Sequence, residues 1–162
     1  MNYDFDEQMG MADDPSVKAA ISAYIRQNFT GVASIERASP ADDKLGTDYW
    51  IILESGKKLS FDIKVRKTDF AYRDPPQDDL ALETWSVVGK KIGWTQDPSK
   101  QTDFVLWFWK DSQRFLMISF PVLCSLFRER VSFFLNRQKT IVLHLQVLLP
   151  HCFISCSQLG LL

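Results

Sequence analysis

Residues 48–66 read DYWIILESGKKLSFDIKVR, and this stretch decides the fold. Apolar and polar side chains alternate on both sides of a short polar link that contains Gly56. Alternation with a period of two is typical of a strand with one buried face, and glycine in a short link is typical of a tight turn. The stretch therefore predicts a β-hairpin with strands at residues 48–54 and 59–66.

The parity of these positions assigns each side chain to one of two faces, because successive side chains of a strand point in opposite directions. The apolar face would hold Tyr49, Ile51, Leu53, Leu59, Phe61, Ile63 and Val65. If both strands turn this face to one core, Asp48 lies on the same face as Asp62 and Lys64. Even positions can face one another only across an odd number of link residues, so we expect a three-residue link at 54–56 or an equivalent bulge at Gly56.

A helix is predicted before the hairpin, with Asp14 as its N-cap and Pro15 at its first position. Apolar residues then recur at helical spacing, at Val17, Ala20, Ile21, Tyr24, Ile25 and Phe29. Such a stripe must rest on a flat apolar surface, which the neighbouring strands would supply. A short strand at 32–37 and a polar loop at 40–46 complete this part of the chain.

The later part of the chain shows more strand patterns and one helix. We expect, in order, a loop at 68–79 that could act as a lid, a third strand at 80–88, a loop at 89–100, a hairpin at 104–109 and 115–120 that turns at 111–113, and a helix at 122–130. Trp107, Phe108 and Trp109 are typical of a strand buried on both faces. The fold class is therefore α/β, in the sense of α+β, with a central mixed β-sheet flanked by helices.

The length of 162 residues predicts one globular domain, and 46% hydrophobic with 24% charged residues suits a chain that buries a core. Residues 1–13 are acidic and are expected to form a flexible leader before a domain at 14–130. Residues 131–162 form an apolar C-terminal extension, which alternates over 141–148 and is interpreted as an edge strand or an interface for a homodimer. Polar residues and Pro150 interrupt it, so no membrane span is expected.

Charge and cysteine content narrow the class of protein further. A formal net charge of -1 excludes a protein that holds nucleic acid by bulk attraction, so any phosphate-binding patch must be local. Three cysteines give no disulfide framework, and the acidic N-terminus does not resemble an export signal, so we expect a cytoplasmic location. The spacing of His151, Cys152 and Cys156 fits no common zinc site.

Two carboxylates beside a lysine have a defined chemical use. Mg²⁺ takes oxygen ligands, commonly one or two carboxylates, and leaves its other positions to water and phosphate oxygens. Asp48 and Asp62 would supply the carboxylates, and Lys64 would orient an attacking water or stabilise a developing oxyanion. This chemistry is that of a metal-dependent phosphodiesterase.

Gly46-Thr47-Asp48, a hairpin, and then Asp62-Ile63-Lys64 resemble the signature of the PD-(D/E)xK nuclease superfamily, which includes restriction-endonuclease-like and Holliday-junction-resolvase-like enzymes. The resemblance covers residues 14–120 and implies a restriction-endonuclease-like fold and an endonuclease that hydrolyses DNA. It implies that Asp48, Asp62 and the Ile63 carbonyl bind Mg²⁺, for which Mn²⁺ can substitute, and that Lys64 is catalytic.

Two departures from that pattern concern the residues around these ligands. Thr47 stands where the family name has proline. The first helix has no glutamate facing its apolar stripe that could serve as a further ligand. Glu83, on the next predicted strand, is a candidate further ligand or supporting group.

Less specific interpretations of the same residues stay open. An amphipathic strand whose polar side chains face solvent would have the same sequence pattern. A nuclease-like fold that no longer cleaves could serve as a protein- or DNA-binding module. Four basic residues are candidate contacts for the DNA backbone, although scattered surface charges are the commoner explanation: Arg66, Lys67, Lys90 and Lys91. Trp50 could stack on a base or be buried.

Overall fold

The computed structural model describes residues 11–87, 89–131 and 140–144. Its elements, in chain order, are α1 (Pro15–Asn28), β1 (Val32–Arg37), α2 (Pro40–Lys44), β2 (Tyr49–Leu53), β3 (Lys58–Arg66), a 3-10 turn (Phe70–Tyr72), β4 (Asp79–Glu83), β5 (Trp85–Val87), β6 (Lys91–Ile92), β7 (Phe104–Trp109), β8 (Arg114–Ser119), α3 (Phe120–Val131) and β9 (Thr140–His144). A five-stranded sheet has the order β1-β2-β3-β7-β8, with β3 and β7 parallel and the other neighbours antiparallel. The predicted α/β class with a central mixed sheet and flanking helices is confirmed.

The link between β2 and β3 has the predicted three residues. The Leu53 amide donates to the Lys57 carbonyl at 2.9 Å, and the Gly56 amide donates to the Leu53 carbonyl at 2.8 Å. Gly56 has a φ of 81°, a left-handed conformation that favours glycine at the last position of such a link. Even-numbered residues of the two strands therefore face one another, as Trp50 and Ser60 do.

Helix α1 covers the apolar face of this hairpin, as predicted. It begins after Asp14, whose carboxylate accepts the Ser16 amide at 2.9 Å. Four side chains of its apolar stripe are buried against the odd-numbered residues of β2 and β3 and the even-numbered residues of β7: Val17, Ile21, Ile25 and Phe29. Burial of each such side chain contributes about 1.5–3 kcal/mol, which makes this layer a principal source of stability.

A second apolar layer covers the other face of the sheet. Side chains of β4 and α3 pack there against alternate residues of β7: Leu80, Leu82, Leu123 and Phe127 against Val105, Trp107 and Trp109. Because β7 is sandwiched between two layers, its aromatic residues are buried on both faces, as the sequence predicts. The polar face of β3 also lies on this side, since Asp62 is paired with Val105 and Lys64 with Trp107.

The predicted strand at 80–88 is interrupted and does not belong to the five-stranded sheet. It divides at Thr84 into β4, which pairs with β9, and β5, which pairs with β6. The Thr84 carbonyl accepts the Gly93 amide at 2.8 Å and the Gln96 side-chain amide at 2.8 Å, so it is not available to continue a strand ladder. The predicted loop at 89–100 correspondingly contains β6.

The predicted loop at 40–46 contains the short helix α2. Ser39 is its N-cap and accepts the Asp42 amide at 3.2 Å, while Pro40 takes the first helical position. These are the same helix-initiating residues that identified α1, but here the helix has only five residues and no buried side chain.

Both ends of the chain are described in part. Residues 11–13 of the predicted leader are helical, and Met11 and Ala12 pack against the α1 layer, while residues 1–10 lie outside the described residues. In the predicted extension, β9 pairs with β4, and residues 132–139 and 145–162 lie outside the described residues. Within the described ranges no helix is both long and apolar enough to cross a membrane.

Candidate active site

The structure brings Asp48, Asp62 and Lys64 together; we call them the two-aspartate centre. Tyr49 is paired with Phe61, so Asp48, which directly precedes β2, stands opposite Asp62 on the same face of the sheet. The Asp48 amide donates to the Phe61 carbonyl at 2.8 Å, and an Asp48 carboxylate oxygen accepts the Ile63 amide at 2.7 Å. The geometric prediction on which the sequence interpretation depended is confirmed.

The position of Asp48 follows from where β2 begins. The Thr47 amide donates to the Asp42 carbonyl at 3.0 Å, which ties the start of β2 to helix α2. Strand β3 continues past this point to Arg66, so its last residues have no β2 neighbour. Asp48 instead places its side chain against the free edge of β3, where its carboxylate replaces the missing backbone acceptor.

A cavity of about 330 Å³ opens at this edge of the sheet. The two-aspartate centre lines it together with Ile63 and Arg66 of β3. Further lining residues are Arg37 of β1, Asp43 of α2, and Trp94 and Lys100 from the segment between β6 and β7. The cavity therefore gives a ligand access to side chains that would otherwise be enclosed between two layers.

Asp62 is only 7% exposed and forms an ion pair with Lys64, with 2.7 Å between its carboxylate oxygen and the ammonium nitrogen. The same ammonium lies 5.2 Å from the centre of the Trp94 ring. A buried carboxylate without a partner costs several kcal/mol, so the lysine is what makes burial of Asp62 tolerable. The solvated-face interpretation of β3 is wrong at this residue, because its side chain is buried.

Asp48 has an unfavourable charge environment. Burial raises its pKa, and the neighbouring Asp62 carboxylate raises it further, while the Ile63 amide and Lys64 lower it; the resulting pKa is about 6. Two carboxyl groups here share one ammonium group. Additional positive charge would therefore stabilise the ionised form of Asp48 and relieve the repulsion between the two acids.

The donor atoms suit a hard divalent cation. Carboxylate oxygens of Asp48 and Asp62 and the backbone carbonyl of Ile63 are the ligand type that Mg²⁺ and Mn²⁺ prefer. Among the described residues no group of three or more histidine, cysteine or acidic side chains is arranged so that it could hold a metal ion by itself. A cation at this centre would thus rely on water or substrate oxygens for its other positions, which is usual for Mg²⁺.

The other predicted site residues are placed differently. Arg66 lines the cavity, whereas Glu83, Lys67, Lys90 and Lys91 do not. Glu83 is carried away with β4, and its carboxylate accepts the Ser86 hydroxyl at 2.9 Å. Lys90 and Lys91 are exposed beside the β5–β6 turn.

Trp50, which was interpreted as either buried or available for stacking, is half-buried on the inner strand β2, between Glu36 of β1 and Ser60 of β3. Its indole N–H donates to Asp42 at 3.3 Å.

The cavity residues that were not singled out in the sequence include Arg37, Trp94 and Lys100. The Arg37 guanidinium stacks on the Tyr49 ring at 5.2 Å, and the Lys100 ammonium donates to the Lys44 carbonyl at 2.8 Å. Trp94 is a tryptophan in a predicted loop, an unusual place for a large aromatic residue, and that was the one available signal. Arg37 and Lys100 carry no such signal, because an isolated basic residue is ordinary on any surface.

A second buried acid lies after β3, and we call its surroundings the Asp69 cluster. Arg114 donates to both Asp69 oxygens, at 2.6 and 2.8 Å, and Ser112 donates at 2.7 Å. The Ala71 amide adds a further hydrogen bond at 3.1 Å. Burial opposes ionisation of Asp69, but the hydrogen bonds from Arg114, Ser112 and Ala71 outweigh it and hold the pKa below its usual value.

The two-aspartate centre thus differs from this cluster in lining a cavity, in having an acid with a raised pKa, and in pairing through a lysine. Comparison of the chain with protein-family models, with curated proteins and with solved structures gives no match.

Proposed function

We propose that this protein is a metal-dependent endonuclease that hydrolyses DNA phosphodiester bonds at the two-aspartate centre. The observation that carries the proposal is the convergence of Asp48, Asp62 and Lys64 on one face of the sheet, at the mouth of a cavity. An acid-x-lysine triplet often occurs by chance, but a chance triplet would not usually have a second acid opposite it on the neighbouring strand. The proposal therefore depends more on the geometry than on the sequence motif.

The order of elements supports a restriction-endonuclease-like fold. An amphipathic helix precedes the β2–β3 hairpin, and a later strand, β7, returns parallel to β3. This matches the mixed sheet flanked by helices that the resemblance to the PD-(D/E)xK superfamily implies. The departure of β4 from the sheet removes Glu83 from the proposed metal site, which leaves two side-chain ligands.

Each residue of the centre has a distinct proposed role. Asp48 and Asp62, with the Ile63 carbonyl, would bind Mg²⁺ or Mn²⁺. A bound divalent cation lowers the pKa of a water molecule and neutralises charge that builds up on a phosphate. Lys64 would donate a hydrogen bond to the attacking water or to the developing oxyanion, which its ammonium group can reach from the floor of the cavity.

Basic residues around the centre support a phosphate-containing substrate. Arg37, Arg66 and Lys100 line the same cavity, together with Asp13 and Asp43. A chain with a net charge of -1 can bind a polyanion only through basic side chains placed at the site, and a bound divalent cation would add positive charge beside the lining aspartates. We propose that Arg37 and Lys100, together with Arg66, contact the DNA backbone on either side of the bond that is cut.

The test is cleavage of duplex, single-stranded and branched DNA in the presence of Mg²⁺ or Mn²⁺. We expect Asp62→Asn and Lys64→Met to lower the cleavage rate by about 10²–10³-fold or more, because each removes a group that acts in the transition state. Lys57→Met is the matched control, since Lys57 is an exposed residue of the hairpin link and should cut like wild type. Failure of the wild type to cut any form, or full activity of both variants, contradicts the proposal.

The Lys64–Asp62 ion pair also supports a second candidate function, a nuclease-like fold that binds DNA or protein without cutting. In that case the lysine would satisfy Asp62 permanently, and calorimetric titration would show no Mn²⁺ binding. An interface at the C-terminal extension, with a homodimer as its product, stays a prediction, because most of residues 131–162 lie outside the described residues. Light scattering before and after truncation at Arg130 would test it.

A further inference from the structure

The Lys64 ammonium group has two neighbours of different kinds. The Asp62 carboxylate is 2.7 Å away, and the centre of the Trp94 ring is 5.2 Å away. An ammonium group within about 6 Å of an aromatic face is attracted to the ring, by about 0.5–2 kcal/mol depending on how much water is excluded. The Lys64 side chain is 23% exposed, so the contact is partly shielded from solvent.

Trp94 is held rigidly by its neighbours in sequence. The Gly93 amide donates to the Thr84 carbonyl at 2.8 Å, and the Thr95 hydroxyl donates to the Glu83 carbonyl at 2.5 Å. A side chain at position 93 would place its Cβ 2.2 Å from the Glu83 carbonyl oxygen, so only glycine allows this close approach. The segment that carries Trp94 is therefore fixed to the junction of β4 and β5.

The Trp94 ring also packs against the second apolar layer. Its centre lies 6.3 Å from that of Trp107 and 6.1 Å from that of Phe120. Trp107 is in turn the β7 neighbour of Lys64 in the parallel pair. The ring is thus fixed from behind by the core and presents its other side to the cavity.

We propose that Trp94 is a positioning residue that holds the Lys64 ammonium group over the two-aspartate centre; this inference rests on the proposed function. A lysine side chain loses about 2 kcal/mol of rotamer entropy when it is fixed, so a flexible ammonium group needs a partner to stay in one place. An Asp62 oxygen that accepts a hydrogen bond from Lys64 is less available to a metal ion, so Asp62 cannot fully serve both partners. The Trp94 face holds the ammonium group without using an oxygen that the cation requires.

The contact can be tested without any activity measurement. Reductive methylation with ¹³C-formaldehyde labels every lysine, and the Lys64 methyl resonance is the one missing in Lys64→Arg. We expect this resonance to be shifted upfield by the Trp94 ring current in wild type, less so in Trp94→Phe, and to lie with the solvent-exposed lysines in Trp94→Leu. If Trp94→Leu does not fold, the reduced shift in Trp94→Phe decides; a shift unchanged by either substitution overturns the proposal.

Kinetics test the consequence for Lys64. With the DNA form that wild type cuts fastest, Trp94→Leu should lower kcat by about tenfold while KM for DNA stays within twofold, and Trp94→Phe should recover most of the loss. In a Lys64→Met background Trp94→Leu should cause no further loss, whereas a merely structural role would lower kcat in both backgrounds and overturn the proposal. If wild type cuts nothing, the proposed function fails, and the resonance shift alone decides whether Trp94 holds Lys64.

Discussion

Two buried acids of this protein, Asp62 in the two-aspartate centre and Asp69 in the Asp69 cluster, lie close together in sequence and are 7% and 4% exposed. Both pair with a basic residue, but their neighbours differ. Asp69 receives hydrogen bonds from Arg114, Ser112 and Ala71, and its pKa is lowered although Arg114 also pairs with Asp78 at 2.9 Å. Asp62 shares one lysine with Asp48, and the pKa of Asp48 is raised.

This difference separates an acid whose contacts stabilise the fold from two acids that raise the cost of ionising one another. A carboxylate with a full set of donors gains from being ionised in the folded state, and it has no free oxygen to offer. Two carboxylates with too few donors reduce stability, and they are expected mainly where a ligand supplies the missing charge. The three predictions that follow are arranged by the size of the effect.

The largest effect on stability is expected in the Asp69 cluster. Asp69→Ala removes the bidentate partner of the partly buried Arg114, which keeps only Asp78, and should lower the free energy of unfolding by about 3 kcal/mol, as measured by urea denaturation. Asp62→Asn should change it by less than about 1 kcal/mol, because Lys64 can reach water through the cavity. Equal losses in the two variants would remove the distinction between the two sites.

A smaller effect is expected from the pH dependence of stability at Asp48. Its folded pKa of about 6 lies above the usual 3.8, so the folded state binds the proton more tightly. Ionisation therefore destabilises the fold, and stability should fall as the pH rises from about 4 to 6 and be fully retained only below that window.

Asp48→Asn is the informative variant, because its amide oxygen can still accept the Ile63 amide while the titration is lost. The variant should be more stable than wild type by about 1–3 kcal/mol at pH 7, and the two should converge at pH 4. Thermal unfolding at both pH values measures this difference. An advantage of Asp48→Asn that is the same at pH 4 and 7 would show that the charge of Asp48 is not its cause.

The smallest effects are expected at the rim of the cavity. Arg37→Ala and Lys100→Ala should each weaken DNA binding a few-fold and reduce the slope of log affinity against log salt by about one, as loss of one phosphate contact does. Lys90→Ala is the matched control, since Lys90 is exposed and lies outside the cavity. Fluorescence anisotropy at several salt concentrations measures the slopes, and a slope change only in Lys90→Ala would place DNA on another surface.

The hairpin, helix α1 and the central pair of acids could be predicted because they follow from local rules. Parity along residues 48–66 determined which side chains share a face, and an odd link was then a geometric necessity that Gly56 fulfils. Asp14 and Pro15 marked the start of α1 in the same way. Each of these conclusions uses residues that lie within a few positions of one another.

The features that could not be predicted depend on contacts between distant segments. The strand break at Thr84 is produced by Gly93 and Gln96, and the aromatic neighbour of Lys64 is Trp94, from a segment distant in sequence. The pairing of Asp69 with Arg114 joins residues 45 positions apart. The sequence pattern of one segment does not show which distant segment packs against it.

The three-residue link at 54–56 has a consequence for how this chain can change. The link sets the register of β3 relative to β2. Inserting or deleting one residue there would exchange the two faces of β3 and turn the Asp62 carboxylate towards helix α1. Sequence changes at positions 54 and 55 are tolerable, since these side chains are exposed, whereas the left-handed φ of 81° at position 56 favours glycine. Loop length, in a surface segment far from the chemistry, is therefore constrained as tightly as the reactive groups themselves.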